Sequence, residues 1–272
     1  MRRARFERLD KLLVTRGLAS SRSDAADMIA GGRVAVGGIR REKPSAAFHA
    51  ESSIEVTALG EKRYVGRGAR KLLKALDEWK IDPKGLDCAD IGASTGGFTQ
   101  VLLDRGASRV AAVDVGYGQL AWELRTDPRV KVMERSNARY LDPGDIGWLS
   151  AIVTVDVSFI SLKTVLPAVT ELTLDGGAIL ALVKPQFEVG RERVGKGVVR
   201  DPELHAEVLE GLAEYVRALR ALELRGATYS PIKGAEGNIE FILFLAKSDG
   251  ETAGAHCADF ETIVREAHRN LG

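Results

Sequence analysis

The sequence predicts an α/β protein whose main body is a doubly wound, mostly parallel sheet, preceded by a small N-terminal α+β module. Three observations lead there. From about residue 71 onward, apolar runs of strand length alternate with amphipathic stretches of helical spacing, the pattern of a parallel sheet covered on both faces. Ahead of it, two helical patterns give way to short β patterns around a Gly-Gly pair. The charge divides in the same way: residues 1–80 carry 18 Lys/Arg against 10 Asp/Glu, and residues 81–272 carry 21 against 28. A near-neutral chain therefore has a basic front, as expected for a polyanion partner, and an acidic body.

In the front part, Leu9, Leu12 and Leu13 share one helical face over residues 8–16, and Gly17 is positioned to end that helix. Ser21-Arg22-Ser23-Asp24 reads as the cap of a second helix carrying Ala25, Met28 and Ile29, which Gly31-Gly32 stop. Residues 33–39 then read as two short strands around Gly37-Gly38, with a further strand at Ser53–Val56. The run Arg8-Leu9-Asp10-Lys11-Leu12-Leu13 and the segment Ser21 to Val36 resemble the alpha-L RNA-binding module found in a small-subunit ribosomal protein and in many pseudouridine synthases. The resemblance implies that Arg5, Arg8, Lys11, Arg22, Arg33, Arg40, Arg41 and, in the connector, Arg67 face RNA phosphates, which position a protein without choosing a sequence. The expected divisions are an RNA-binding domain at 1–60, a basic glycine-containing linker at 61–70 and a catalytic domain at 71–272.

In that last domain a helix bearing Leu72, Leu73, Leu76 and Trp79 opens the series. Strands are expected at Cys88–Ile91, Val110–Val113, Val130–Met133, Ala151–Val155 and Ala178–Val183, and helices near 97–105, 118–125, 160–172 and 203–220. Leu222–Thr228 and Ile239–Ala246 read as a terminal strand pair that places an antiparallel strand in the sheet. Residues 249–255 read as a polar tether before an amphipathic helix of Phe260, Ile263, Val264 and Ala267. Apolar runs are too short to cross a bilayer, the basic start leads into Glu7 and Asp10 rather than a secretory segment, and Cys88 and Cys257 form no metal or disulfide pattern. A cytoplasmic protein without membrane or metal partners is expected.

Asp90-Ile91-Gly92-Ala93-Ser94-Thr95-Gly96-Gly97-Phe98 falls where the first large strand turns into a helix, the place where doubly wound sheets bind ligands. Its spacing departs from G-x-G-x-x-G, which argues against a pyrophosphate cradle. It resembles instead the methyltransferase loop that holds the amino-acid end of S-adenosylmethionine, with Asp90, Gly92, Ser94, Thr95, Gly96, Gly97 and Phe98 as the binding segment. Asp114, 22 residues after Gly92 at the tip of the next strand, is placed to accept from ribose hydroxyls, and Asn137 follows the third strand near the adenine.

Three ionisable residues interrupt apolar strands: Asp156 ends the fourth, Lys184 ends the fifth, and Glu240 starts the last. Lys71, at the head of the preceding helix, can reach the same rim. Two lysines and two carboxylates suit removal of a proton from a hydroxyl while a methyl group arrives. Lys184 is the expected base, its basicity lowered by burial and a second ammonium and raised by the carboxylates. The Asp-Val-Ser-Phe at 156–159 is not the Asn/Asp-Pro-Pro-aromatic of amino-group methylation, and neither cysteine is placed as the nucleophile of carbon methylation.

The segments Tyr64–Leu72, Asp90–Gln100, Asp114–Leu120, Asp156–Leu162, Val183–Glu188 and Gly237–Glu240 together resemble the TlyA family, over nearly the whole chain. The resemblance implies the alpha-L module joined to an FtsJ-like, Rossmann-like methyltransferase domain that makes 2′-O-methylcytidine in 16S and 23S rRNA of ribosomal subunits, using S-adenosylmethionine. Its Lys-Asp-Lys-Glu set falls on Lys71, Asp156, Lys184 and Glu240. It further implies a monomer, capreomycin sensitivity, and the haemolysin label that many members carry. Gly66 departs from the serine usual after the aromatic-Val pair. Against this stand a pore-forming haemolysin, which would need an apolar or amphipathic insertion segment, and a ribosome-binding factor without chemistry.

Overall fold

The structure, a computed structural model, describes residues 6–57, 64–190, 192–194, 197–234, 236–248 and 258–272. It divides into two compact units, Met1–Arg67 and Gly68–Gly272. Tyr64–Arg67 of the expected linker thus group with the first unit, while residues 61–63 lie outside the described residues.

The first unit opens with β1 (Phe6–Arg8), α1 (Leu9–Thr15) and α2 (Arg22–Ala30). Leu9, Leu13, Ala25, Met28 and Ile29 are buried together where the two helices meet. Gly17, at φ +68°, ends α1 in a Schellman arrangement: its N–H donates to the Val14 carbonyl and that of Leu18 to Leu13. Ser21 caps α2, accepting from the Asp24 N–H at 3.1 Å. β2 (Val34–Val36) and β3 (Ile39–Arg40) are joined by Gly37-Gly38, at φ +61° and +77°, the positive angles a two-residue hairpin demands. β5 (Ile54–Val56) pairs with β2, whose Val34 and Val36 close the core. β1 and its partner β4 (Ala47–His49) were not foreseen: three residues each, they are too short to show a period.

The second unit begins with α3 (Ala69–Trp79), two residues earlier than expected, and continues β6 (Asp87–Ile91), α4 (Gly97–Asp104), β7 (Arg109–Val113), α5 (Trp122–Arg125), β8 (Val130–Met133), α6 (Pro143–Ile146), β9 (Ser150–Val155), α7 (Leu162–Leu172), β10 (Thr173–Val183), α8 (Pro185–Glu188), α9 (Pro202–Leu219), β11 (Leu222–Tyr229), β12 (Phe241–Lys247) and α10 (Phe260–Leu271). The seven strands lie in the order β11-β12-β10-β9-β6-β7-β8. β8, β7, β6, β9 and β10 run parallel and β12 antiparallel to β10, so the foreseen fold class and the antiparallel strand are both present. Chain order reverses direction between β6 and β9, making their carboxyl ends the switch point.

Alternate residues of each strand serve opposite faces. On one face Ile91, Val155, Ala181, Phe241 and Leu243 pack against Leu162, Leu166 and Val169 of α7, Leu209 and Leu212 of α9, and Val264 of α10. On the other, Trp79 of α3 meets the Phe244 ring at 5.3 Å. Three expectations needed revision. The helix expected at 118–125 is only α5, since residues 118–121 are not helical and Gly118 stands at φ +72°. β10 starts at Thr173, five residues early, with an irregular register between Thr173 and Ala178. Glu240 lies just before β12, which starts at Phe241. The tether at 249–255 and Cys257 lie outside the described residues.

His205 of α9, fully buried beside the Phe241 ring, has its Nδ1 3.0 Å from His268 Nε2 of α10. Burial, reinforced by His268 and opposed by the Val199 backbone and Asp201, pushes His205 down to about 4. Its native-state basicity is below that of the unfolded chain, so its stabilising contribution is present above pH 6.5 and is lost as pH falls from there toward 4. We expect the stability advantage of the wild type over His205→Gln, measured by urea unfolding, to shrink as pH is lowered through that window; an advantage that is constant with pH contradicts it.

Candidate active site

The crevice at the carboxyl ends of β6, β7, β9 and β10 is lined by loops that the backbone itself ties together. The N–H groups of Gly92 and Ala93 both donate to the Val113 carbonyl, and that of Asp156 donates to Ile91. Gly92, at φ +88°, is required by the fold: a Cβ there would lie 2.4 Å from the Asp156 carbonyl oxygen. Gly96 is required by its backbone, at φ +97°, while the atoms nearest a Cβ there are the side-chain methyls of Leu124 and Leu120. Two of the glycines read as a ligand cradle thus already have reasons inside the protein.

Asp90 is fully buried, and both its oxygens are engaged: Oδ2 accepts from the Thr99 N–H and hydroxyl at 2.8 and 2.7 Å, and Oδ1 accepts from the Thr154 hydroxyl at 3.0 Å. Burial pushes it up to about 6, against those hydrogen bonds. Asp90 therefore braces the start of α4 against β9, with both its oxygens engaged inside the fold. Gly97 and Phe98 open α4 and are buried, whereas Ser94 and Thr95 are exposed. Ser94, at φ +49°, aims its N–H at Asp114 Oδ2, 2.8 Å away, and its hydroxyl lies 3.3 Å from Gln119 Oε1. Asp114 Oδ1 accepts from Gly116 N–H at 2.6 Å. These two bonds use about half of the roughly four lone-pair directions of a carboxylate, leaving the rest for hydroxyl donors. Asn137 is exposed after β8 and caps a short 3₁₀ turn by accepting from the Arg139 N–H at 3.0 Å.

Lys71, Asp156, Lys184 and Glu240 come together in one chain of charge. Lys71 Nζ lies 2.6 Å from Glu240 Oε2 and 3.8 Å from Asp156 Oδ2, and Lys184 Nζ lies 2.6 Å from Asp156 Oδ1. Lys71 rides on the buried face of α3 beside Leu72 and Ala75, so a helix otherwise patterned for a core delivers an ammonium into it. Side-chain exposures are 3% for Glu240 and 8% for Lys71 against 20% for Asp156 and 11% for Lys184, so the second pair is the more open one. Gly234 leaves room for the inner pair: a Cβ there would lie 2.3 Å from Glu240 Oε1.

Sequence reasoning missed several neighbours. Lys184 Nζ also donates to Ser158 Oγ at 2.8 Å. Phe159, at φ +63°, leaves its ring 90% exposed, 5.0 Å from the Phe187 ring. Asn238 is buried and holds residues 197–199, accepting from the Val199 N–H at 2.9 Å and donating to the Gly197 carbonyl at 3.0 Å. For Phe159 a signal was available, an aromatic residue soon after β9, whereas the partner of Ser158 lies too far along the chain for a local pattern to show it. Burial pushes the Cys88 thiol up to about 12, which suits no nucleophile.

Within the first unit, Arg8 and Arg22 converge on the buried carboxylate of Asp10, Arg8 at 2.9 Å and Arg22 at 2.8 Å, while both guanidinium groups remain exposed. Lys11 is exposed, 4.0 Å from Glu7. The others are partly committed to the fold: Arg33 donates to the Thr57 carbonyl at 2.9 Å, Arg40 lies 3.3 Å from Glu42, Arg41 stacks 5.0 Å from the Phe48 ring centre, and Arg67 lies 3.9 Å from Glu55. Arg5 lies outside the described residues.

Comparison with known proteins agrees with this anatomy. Residues 64–247 match the FtsJ-like methyltransferase family and residues 7–52 the S4 domain. The chain is 49% identical over 243 residues to the 16S/23S rRNA (cytidine-2′-O)-methyltransferase TlyA of Mycobacterium tuberculosis, spanning 89% of this chain and 90% of that protein. It is 38% identical to Hemolysin A of Brachyspira hyodysenteriae, over 86% of this chain and 98% of that one. A solved structure from Streptococcus thermophilus carrying a hemolysin designation superposes with a TM-score of 0.75 at 41% identity, over 98% of this chain and 97% of that one. With a catalytic-domain match over more than half its length and such relatives along nearly all of it, the chain belongs to the FtsJ-like methyltransferase family, in its TlyA branch.

Proposed function

We propose that this enzyme transfers a methyl group from S-adenosylmethionine to the 2′-oxygen of a cytidine ribose in the 16S or 23S rRNA of ribosomal subunits. One observation carries the chemistry: Lys184 is held from two sides, by Asp156 Oδ1 at 2.6 Å and Ser158 Oγ at 2.8 Å, and keeps 11% of its side chain exposed. A neutral amine has two N–H donors, which these two partners take, and one lone pair, which remains to accept from a substrate hydroxyl. The donor molecule suits the residues present: Asp114 keeps acceptor capacity at the end of β7 for a ribose diol, and the exposed Ser94 and Thr95 flank the loop beside it. When bound there, S-adenosylmethionine supplies an electrophilic methyl group.

A ribose hydroxyl is too weakly acidic to attack unaided, so the base must take its proton as the new C–O bond forms. Lys184 in its amine form does this, and Asp156 then stabilises the ammonium. Lys71 holds Asp156 and Glu240 apart at a fixed spacing, which keeps the outer pair from wandering. Phe159, exposed beside Ser158, offers a ring on which a nucleobase can stack, an interaction worth ~1–3 kcal/mol. The S4 domain supplies phosphate contacts, with Arg8 and Arg22 preset by Asp10. The chain would act as a monomer in the cytoplasm. No specific observation favours the lytic alternative, although relatives carry that name.

Two measurements test this. Ribosomal subunits lacking the modification, incubated with enzyme and labelled S-adenosylmethionine, should gain 2′-O-methylcytidine by nucleoside mass spectrometry. Lys184→Ala should lose at least ~100-fold in rate while binding the same RNA; unchanged 2′-O-methylcytidine with the wild type refutes the function. Phe159→Ala should weaken RNA affinity by about tenfold, equivalent to ~1.4 kcal/mol, with affinity for S-adenosylhomocysteine unaltered in calorimetry.

A further inference from the structure

We infer that Glu188 is a positioning residue, a latch that fixes the loop bearing Lys184 to the loop bearing Asp156, Ser158 and Phe159; the inference rests on the methyl-transfer reading above. Glu188 ends α8, four residues after Lys184. Its Oε2 accepts from the Ser161 hydroxyl at 2.6 Å and its Oε1 from the Leu162 N–H at 2.8 Å. Ser161 is the N-cap of α7, an 11-residue helix whose first turn has N–H groups without helical partners and whose positive end favours an anion. One carboxylate thus occupies the cap of a helix that belongs to the other loop.

The placement works against hydration. Glu188 is largely buried, and burial pushes its carboxyl up even though both hydrogen bonds and Lys163 favour the charged form. A carboxylate kept there must be held by geometry, and α7 provides it. Between latch and catalytic pair the two loops also meet at the Phe159 and Phe187 rings, 5.0 Å apart. The loops are therefore joined at three levels: Asp156 with Lys184 inside, the ring pair at the rim, and Glu188 with Ser161 and Leu162 at the helix start. Lys184 has a long flexible stem, and its two direct partners, Asp156 and Ser158, both belong to the opposite loop. Its aim consequently depends on the register between the loops, which Glu188 sets. A misplacement of about 1 Å at a reacting group can cost ~100-fold in rate.

The full-length enzyme tests this with Glu188→Ala, Glu188→Gln and Ser161→Ala. Amide hydrogen exchange over residues 158–163 reads the latch without any turnover, and should speed up in Glu188→Ala. In methyl transfer to unmodified ribosomal subunits, Glu188→Ala should lower kcat ~10- to 100-fold with affinity for S-adenosylhomocysteine unchanged. Ser161→Ala should fall between wild type and Glu188→Ala, and Glu188→Gln, whose carbonyl still accepts from the Leu162 N–H, should recover part of the loss. Unchanged exchange or unchanged kcat in Glu188→Ala overturns the inference, as does a fall in kcat matched by equal losses of cofactor affinity and thermal midpoint. A wild type that transfers no methyl group refutes the proposed function instead, and the exchange result then stands on its own.

Discussion

The Lys71–Glu240 contact is the constraint around which the site is organised. At 2.6 Å, with the two side chains 8% and 3% exposed, it is an ion pair removed from water, and removing one partner of such a pair typically costs about 3–5 kcal/mol. An arrangement that expensive to leave unpaired is also rigid. It fixes α3 against the start of β12, and Asp156, reached by the same lysine, inherits that position. From Asp156 the order passes to Lys184, so the outer amine is aimed by a charge chain whose far end is the buried Lys71–Glu240 pair.

The glycine loop is tied to the same framework. Gly92 lies so close to the Asp156 carbonyl that the turn after β6 and the end of β9 are in effect one surface, and Asp90 beneath it binds the first turn of α4 to β9 through Thr99 and Thr154. The glycine turn and the charge chain are thereby held in one frame by backbone packing, with electrostatics confined to the crevice. This separation fits electrostatic preorganisation: dipoles and charges near the reacting atoms gain most when the scaffold does not have to move to place them.

How much of this could be seen in the chain alone depended on the range of the interactions. The parallel sheet was legible because Cys88–Ile91, Val110–Val113 and Ala151–Val155 are short apolar runs, and buried parallel strands leave that mark. Three of the charged residues were legible because each interrupts or borders an apolar run, and Lys71 because it heads the helix that can reach the same rim. The role of Asp90 was not: two residues before Gly92 it read as part of a ligand-binding segment, and only the packing of Thr99 and Thr154 around it shows its bonds inside the fold. Ser158 and Glu188 were invisible for a related reason, since their partners lie 26 and 27 residues away in the chain and no local period encodes such a meeting. The pairing of β1 with β4 and the early start of β10 were lost to shortness and to an irregular register.

The direction of β12 has a consequence for synthesis. Because this strand runs opposite to its neighbour β10, it brings its beginning, not its end, to the crevice, and the fourth charge arrives only after α9 and β11. A nascent chain emerging from the exit tunnel can have its basic front, its glycine turn and three of the four ionic groups in hand, yet Lys71 still lacks the carboxylate that completes its burial. The charge chain is thus completed only after β11 has been made.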